Sequence, residues 1–170
     1  MKKIIYLFCI IAFTNLATAQ NNEVSNDPEY QLHYNKYKEL YLKRIFSEAY
    51  INYEKVFDHY KKMINYEHNK YRILNVKDLG AWTRAHLSDT KFKSIKEADD
   101  EWIKLLDATE LERKQNNEFD TYQYKVLKLP YGPRLMALVL IDIMTVIPEH
   151  YGLSKEKVDG LKEYLKKQKQ

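Results

Sequence analysis

Cysteine is almost missing from this sequence, which has only Cys9 among its 170 residues. Cys9 lies in the N-terminal stretch that we expect to be removed, so the remaining chain would have no thiol. This excludes disulfide bonds, thiolate zinc sites, haem attachment through C-x-x-C-H and cysteine nucleophiles. A hydrophobic core must therefore stabilise the fold, and about 150 residues are enough to form one.

Glycine is also scarce, and the four glycines are too far apart for a phosphate-binding loop of the dinucleotide or P-loop type. No G-x-S-x-G motif marks a nucleophilic serine. The five histidines form neither H-x-x-x-H nor E-x-x-H, so nothing signals a zincin helix or a di-iron bundle. We therefore expect no cofactor, no metal site and no catalytic motif of these kinds.

Neither sign of charge is in large excess. The chain has 28 basic and 24 acidic residues, and removing Lys2 and Lys3 leaves 26 against 24, a net charge of +2. The two signs are interspersed, which argues against a nucleic-acid partner. The C-terminal KEYLKKQKQ is locally basic, as suits a solvated helix end, with docking to an anionic surface as the alternative.

The N-terminus has the three parts of a secretory signal peptide. Lys2 and Lys3 precede an apolar run over residues 4–13, and Ala17-Thr18-Ala19 forms a small-x-small cleavage site. We expect residues 1–19 to be removed and the protein to be periplasmic or extracellular. An uncleaved anchor is the alternative, although the apolar run is short for a bilayer core of about 30 Å.

Two further expectations concern the N-terminal region. Phe8 precedes Cys9 where a lipid-modification site would have a small residue, so we do not expect a lipoprotein. Residues 20–27 are polar and predict a flexible leader. The remaining residues, 28–170, are then expected to form a single domain.

A long helical segment is predicted over residues 28–74. Asp27 and Pro28 are typical of an N-cap and a first helical position, and apolar or aromatic residues then recur at steps of three or four. About 45 helical residues would extend roughly 70 Å, too long for a compact domain. A break is expected at residues 46–50 or 65–69.

The rest of the chain also indicates helices. LGAWTRAHL predicts a short helix with Trp82 and His86 on one side, and Ser94 with Glu97 forms a capping box. Residues 119–129 predict a short extended segment or an irregular loop. A core helix follows between the prolines at 133 and 148, and a last helix begins after residue 154. The prediction is an all-α fold of five to seven helices, with one long N-terminal helical segment and a buried C-terminal helix.

Asp142 interrupts the apolar core helix, which at 13 residues is too short to cross a membrane. Thr145 and Glu149 lie on the same face of the helix as Asp142, so we predict that this face is a thin polar edge facing water or a neighbouring helix. The alternative is a partly buried carboxylate with a raised pKa that acts as an acid or base.

Tyrosine is abundant, with 15 copies. Tyr30, Tyr34, Tyr37 and Tyr41 form a ladder on one helix face, either lining the core or gripping a partner. Aromatic residues also surround the connection before the core helix, and loops often carry function. The candidate binding residues, taken together, are Trp82, Arg84, His86, Phe119, Tyr122, Tyr124 and Tyr131.

The sequence favours a non-catalytic exported binding module for a protein or an envelope component, and an inhibitor or immunity-type protein would fit. The alternative is a small envelope hydrolase or lyase that uses scattered carboxylate, histidine and tyrosine residues. A structural spacer is a third possibility. The oligomeric state stays open.

Overall fold

The computed structural model describes residues 27–168, and within them all regular structure is helical. The eight α-helices are α1 (Pro28–Ile45), α2 (Glu48–Met63), α3 (Tyr66–Ile73), α4 (Leu79–Ala85), α5 (Ile95–Gln115), α6 (Asn117–Leu127), α7 (Gly132–Val146) and α8 (Lys155–Gln168). Two 3₁₀ helices lie at Leu87–Asp89 and Pro148–Tyr151. The all-α class is confirmed, with more helices than the five to seven expected. The predicted signal peptide lies outside the described residues.

The long N-terminal segment is three helices, not one, and it breaks at both of the expected places. Before α2, the Ser47 hydroxyl accepts from the Tyr50 N–H at 3.2 Å and donates to the Arg44 carbonyl at 2.7 Å. The Ser47 side chain therefore caps the start of α2 and provides a hydrogen bond to a carbonyl at the end of α1. Before α3, Asn65 adopts a left-handed φ of 51°, which asparagine tolerates better than most residues.

The segment after Asn116 is helical, so the extended or irregular conformation predicted for residues 119–129 is wrong. The Asn116 N–H bonds to the Glu112 carbonyl at 2.9 Å and ends α5, and α6 begins at the next residue. Alternation of aromatic and polar residues suggested a strand, but it covered only about five positions. The buried residues Phe119 and Val126 are two helical turns apart and reveal the true period.

The helix starts predicted at Pro28 and after Ser94 are confirmed, and α7 begins at Gly132, one residue before Pro133. The Asp27 carboxylate accepts from the Glu29 N–H at 2.8 Å, and α1 begins at Pro28. At α5 the Ser94 hydroxyl accepts from the Glu97 N–H at 3.1 Å. The Glu97 carboxylate in turn accepts from the Lys93 N–H at 2.7 Å, so this box reaches one residue further back than usual.

The described chain divides into two compact units. The first unit contains residues 27–43 and 118–168, which are most of α1 together with α6, α7 and α8. Its α7 is buried on several sides, and α8 packs Leu161 and Leu165 against Ile141 and Met144. No helix among residues 27–168 is long and apolar enough to cross a membrane.

The second unit contains residues 44–117, which include α2 to α5. Tyr60, Ile64, Phe92 and Leu105 form the centre of its core. The predicted single domain over residues 28–170 stays a prediction.

Candidate functional site

The seven candidate binding residues fall into the two units. Trp82, Arg84 and His86 lie in the second unit, whereas Phe119, Tyr122, Tyr124 and Tyr131 lie in the first. That the seven form one site stays a prediction.

In the second unit, α4 places Trp82 and His86 on one side, as the sequence predicted. Their rings stack with centroids 4.7 Å apart and planes at 15°. The His86 Nδ1 is 2.9 Å from the Trp82 carbonyl oxygen, a bond within the same helical turn. Arg84 pairs with Asp99 at 2.9 Å. These polar groups therefore already have partners inside the unit, and Trp82 itself is buried.

In the first unit, Tyr122 and Tyr131 meet two residues of α1. The Tyr122 hydroxyl is 2.7 Å from Nδ1 of the buried His33. The Tyr131 ring lies 5.2 Å from Tyr30 and 6.5 Å from His33, measured between centroids. Burial raises the pKa of Tyr30, Tyr122 and Tyr131, so these hydroxyls keep their protons at neutral pH.

The Tyr131 hydroxyl is buried and has no hydrogen-bond partner within the described residues. His33 was not among the candidates, although its spacing from Tyr30 and Tyr37 places it on the ladder face. That spacing was the signal that could have found it. The packed rings make this cluster an internal arrangement of α1, α6 and the connection between α6 and α7.

Phe119 and two of the ladder tyrosines belong to the core. Phe119 packs against Tyr37 and Tyr41 with centroid distances of 5.5 and 5.7 Å. Phe119, Tyr30 and Tyr37 are all buried. The core interpretation of the ladder therefore applies to Tyr30 and Tyr37, and neither presents its ring to a partner.

Asp142 faces α1 and is half-buried, with 22 % of its side chain exposed. Its carboxylate accepts from the Lys38 ammonium at 2.7 Å and from the Tyr34 hydroxyl at 2.9 Å. Burial, together with the bond to Asp142, strongly raises the pKa of Tyr34, which therefore stays protonated. The three groups satisfy one another and hold α1 against α7. Because the partners lie 104 and 108 residues away, local sequence could not reveal them.

Among the four candidates of the first unit, Tyr124 is the one whose side chain is exposed. Its side chain is 62 % exposed, and that of Leu127, one turn later, is 51 % exposed. The Lys128 ammonium lies 4.1 Å from the centroid of the Tyr124 ring, a cation–π contact. Lys125 is also exposed. We call Tyr124, Lys125, Leu127 and Lys128 the α6 patch.

The charge around the α6 patch is unbalanced. No acidic residue occurs between Asp120 and Asp142 in the sequence. Within the part of the chain that the structure describes, neither Lys125 nor Lys128 forms an ion pair with a carboxylate. The patch therefore presents apolar surface and uncompensated positive charge together.

Tyr71 on α3 is a useful contrast. It is also exposed, and the Lys70 ammonium lies 5.4 Å from its ring centroid. Here, however, nearby charges are compensated: Lys70 is 3.7 Å from Glu67, and Arg72 pairs with Asp89 at 2.7 Å.

Metal ligands do not converge in the described chain. Among residues 27–168, no group of three histidine, aspartate or glutamate side chains is placed to hold a metal ion. Comparison with protein-family models, with curated proteins and with solved structures finds no match.

Proposed function

We propose that this protein is an exported, non-catalytic binding module that holds a protein partner on the α6 patch. One observation carries this proposal: the exposed Tyr124 ring lies beneath the Lys128 ammonium, one helical turn before the exposed Leu127. Inhibitor or immunity-type action is compatible with such a module. Export is supported by the charged, apolar and small-x-small parts of residues 1–19.

The residue types of the patch suit a protein interface. Tyrosine combines an apolar body with a polar tip and is enriched among the residues that dominate binding energy. A partner that covers Tyr124 and Leu127 removes apolar surface from water, which contributes about 2 kcal/mol for each fully buried side chain. Two lysines without carboxylate partners add electrostatic attraction to an acidic surface.

A membrane surface fits the α6 patch less well. Recognition of anionic lipid by charge takes clusters of about four to eight basic residues, each contributing about 1 kcal/mol. The patch has two, Lys125 and Lys128. Tyr124 and Leu127 alone would provide about 4 kcal/mol on insertion, which corresponds to a dissociation constant near 1 mM.

An affinity capture with matched variants tests the proposed function. The full chain with a C-terminal tag is expressed in the native host, so that residues 1–19 can direct it to the envelope, and the cells are lightly crosslinked. The test variant is Tyr124→Ala/Leu127→Ala. The control is Tyr71→Ala/Leu74→Ala, which removes an exposed tyrosine of α3 and, at the same spacing, the exposed leucine that directly follows this helix.

We expect one protein to be enriched with the unaltered chain and with the control but lost with the test variant. A purified partner should then bind the Tyr124→Ala chain about 30-fold more weakly, the equivalent of about 2 kcal/mol. Equal recovery by all three chains, or no enriched protein, would contradict the proposal.

A hydrolase or lyase is the second candidate, and the half-buried Asp142 is the observation that favours it. Its carboxylate accepts hydrogen bonds from Tyr34 and Lys38, and carboxylate, tyrosine and lysine side chains are residue types that general acids and bases are drawn from. Substrate screening of the unaltered chain and of Asp142→Asn tests it. An activity that is lost in the variant while the helical fold persists would favour this candidate over the binding module.

A further inference from the structure

An exposed stripe on α5 combines apolar and acidic side chains. Ile103, Leu106, Asp107 and Glu110 lie at positions i, i+3, i+4 and i+7, so they share one helix face. Ile103 is 54 % exposed and Leu106 is 48 % exposed. We call these four residues the α5 stripe. The opposite side of the helix carries its buried residues, including Leu105 and Ala108.

The α5 stripe is acidic, as is the helix that carries it. Helix α5 has seven acidic and four basic side chains. Glu110 pairs with Lys114 of the same helix at 2.7 Å, and this bond lowers the pKa of the Glu110 carboxyl. Asp107 forms no ion pair with a basic side chain of the described residues. It therefore offers an uncompensated carboxylate beside two exposed aliphatic side chains.

The α5 stripe and the α6 patch match each other in spacing and oppose each other in charge. On α5, apolar residues 103 and 106 are followed by Asp107. On α6, apolar residues 124 and 127 are followed by Lys128, the first residue after the end of the helix. Both faces thus have apolar side chains at i and i+3 and a charge at i+4, negative on one and positive on the other. Two such helix faces can pack apolar against apolar while the charges meet.

We infer that the α6 patch of one copy docks on the α5 stripe of a second copy of this chain. This inference rests on the proposed function, because it names the partner of the same α6 patch. The two faces differ, so the contact is heterologous and joins copies head to tail. The formal net charge is only +4 for the full chain and +2 without residues 1–19, so repulsion between copies is small.

The contact is expected to be weak. Each face contributes two exposed apolar side chains and one or two charges, which is less than a standard interface of about 1,600 Å². Association should therefore require high concentration, and it should decrease with salt because exposed charges are screened.

Sedimentation equilibrium of residues 20–170 measures this association. The chain is examined from about 10 µM to about 1 mM, in 50 mM and in 500 mM salt, a range that brackets weak contacts between exposed charges. The variants are Lys128→Glu and Asp107→Lys, each tested alone and as an equimolar mixture. Lys162→Glu, an exposed residue of α8, is the control for the change in net charge. Circular dichroism verifies that each variant is helical.

We expect the average mass of the unaltered chain and of the control to rise with concentration, and to rise less at 500 mM salt. Each single charge reversal should weaken association about tenfold, because it places like charges opposite each other. The mixture should recover association, because Lys128 of one variant then meets Asp107 of the other, and the introduced Glu and Lys also meet.

A constant monomer mass, or a Lys128→Glu chain that associates like the control, would overturn the self-docking inference. These outcomes are separable from failure of the proposed function. If no self-association occurs but the capture still loses a different protein with Tyr124→Ala/Leu127→Ala, the binding module stands and its partner is not a second copy. If neither experiment responds to changes in the α6 patch, both proposals fall.

Discussion

Glu112 is a buried carboxylate whose charge is balanced by one guanidinium. Its Oε1 accepts from the Arg44 Nε at 2.6 Å, and the Asn116 side chain joins the Ser47 hydroxyl at 3.2 Å in the same network. The network therefore connects the residues around the start of α2 with the end of α5. Because an unpaired buried charge is costly, both partners are needed once either is present.

We predict that Arg44→Met destabilises the second unit by about 3 kcal/mol, since it leaves Glu112 buried without its cation. Urea unfolding followed by circular dichroism measures the change. The double variant Arg44→Met/Glu112→Leu should recover much of the loss, because it removes both charges. If the single variant is as stable as the unaltered chain, the ion pair has no structural importance.

Tyr34 gives a prediction for alkaline pH. Its pKa is raised from the ordinary value of 10.0 by burial and by its bond to Asp142, so the folded protein keeps a proton that the unfolded chain loses. The stabilising effect is complete below pH 10 and decreases as pH rises above that value. Tyr34→Phe should therefore show a smaller decrease in free energy of unfolding between pH 9 and about pH 11.

The control for this prediction is Tyr71→Phe, which alters an exposed tyrosine. Its pH dependence should match that of the unaltered chain, measured by urea unfolding at each pH. Other buried tyrosines, such as Tyr30 and Tyr60, also have raised pKa values, so the unaltered chain should still lose stability at alkaline pH. If the free energy of unfolding of Tyr34→Phe decreases with pH as steeply as that of the unaltered chain, the assignment of a raised pKa to Tyr34 is contradicted.

At the scale of helices, the turn between α2 and α3 depends on Asn65 and Asn69. Asn65 takes the left-handed conformation, and the buried Asn69 donates to the Ile64 and Asp89 carbonyls at 3.0 and 2.9 Å. Asn65 permits the chain to change direction between the two helices, and Asn69 fixes α3 beside the 3₁₀ helix at Leu87–Asp89.

We predict that Asn65→Val destabilises the protein by about 1–2 kcal/mol, since a β-branched residue is strained at positive φ. Asn65→Gly should be neutral or slightly stabilising, because glycine adopts this conformation without a steric penalty. Thermal unfolding of the two variants measures the difference. Similar midpoints for both would show that the strain at this turn is relieved by a local shift.

The helices also show which structural features could be predicted from the local sequence and which could not. Asp27, Ser94 and Glu97 act through bonds to residues within four positions, so their roles could be predicted from spacing. Helix α6 could not be recognised, because its aromatic residues alternate over a stretch shorter than two turns. The partners of Asp142 and His33 lie on other helices, and no local pattern identifies them.

At the scale of the whole molecule, the first unit joins chain segments that are far apart in sequence, because α1 packs with α6 and α7. This packing buries two residues of the α1 ladder, Tyr30 and Tyr37, in the core. Among the candidate binding residues of the first unit, Tyr124 on α6 is the exposed one. The net charge of the sequence could not locate the α6 patch, because its excess of positive charge becomes evident only when the helix faces and the ion pairs are known.

The two units give a final prediction, because each contains its own buried core. Ile64 is fully buried in the second unit, and Ile143 is fully buried in the first. Ile64→Ala should destabilise its core by about 3 kcal/mol through lost burial and a residual cavity. Hydrogen exchange measured by mass spectrometry should then accelerate in α2 to α5 more than in α7, and Ile143→Ala should produce the opposite pattern. If either variant instead accelerates exchange equally throughout residues 27–168, the chain unfolds as one cooperative domain, as the sequence predicted.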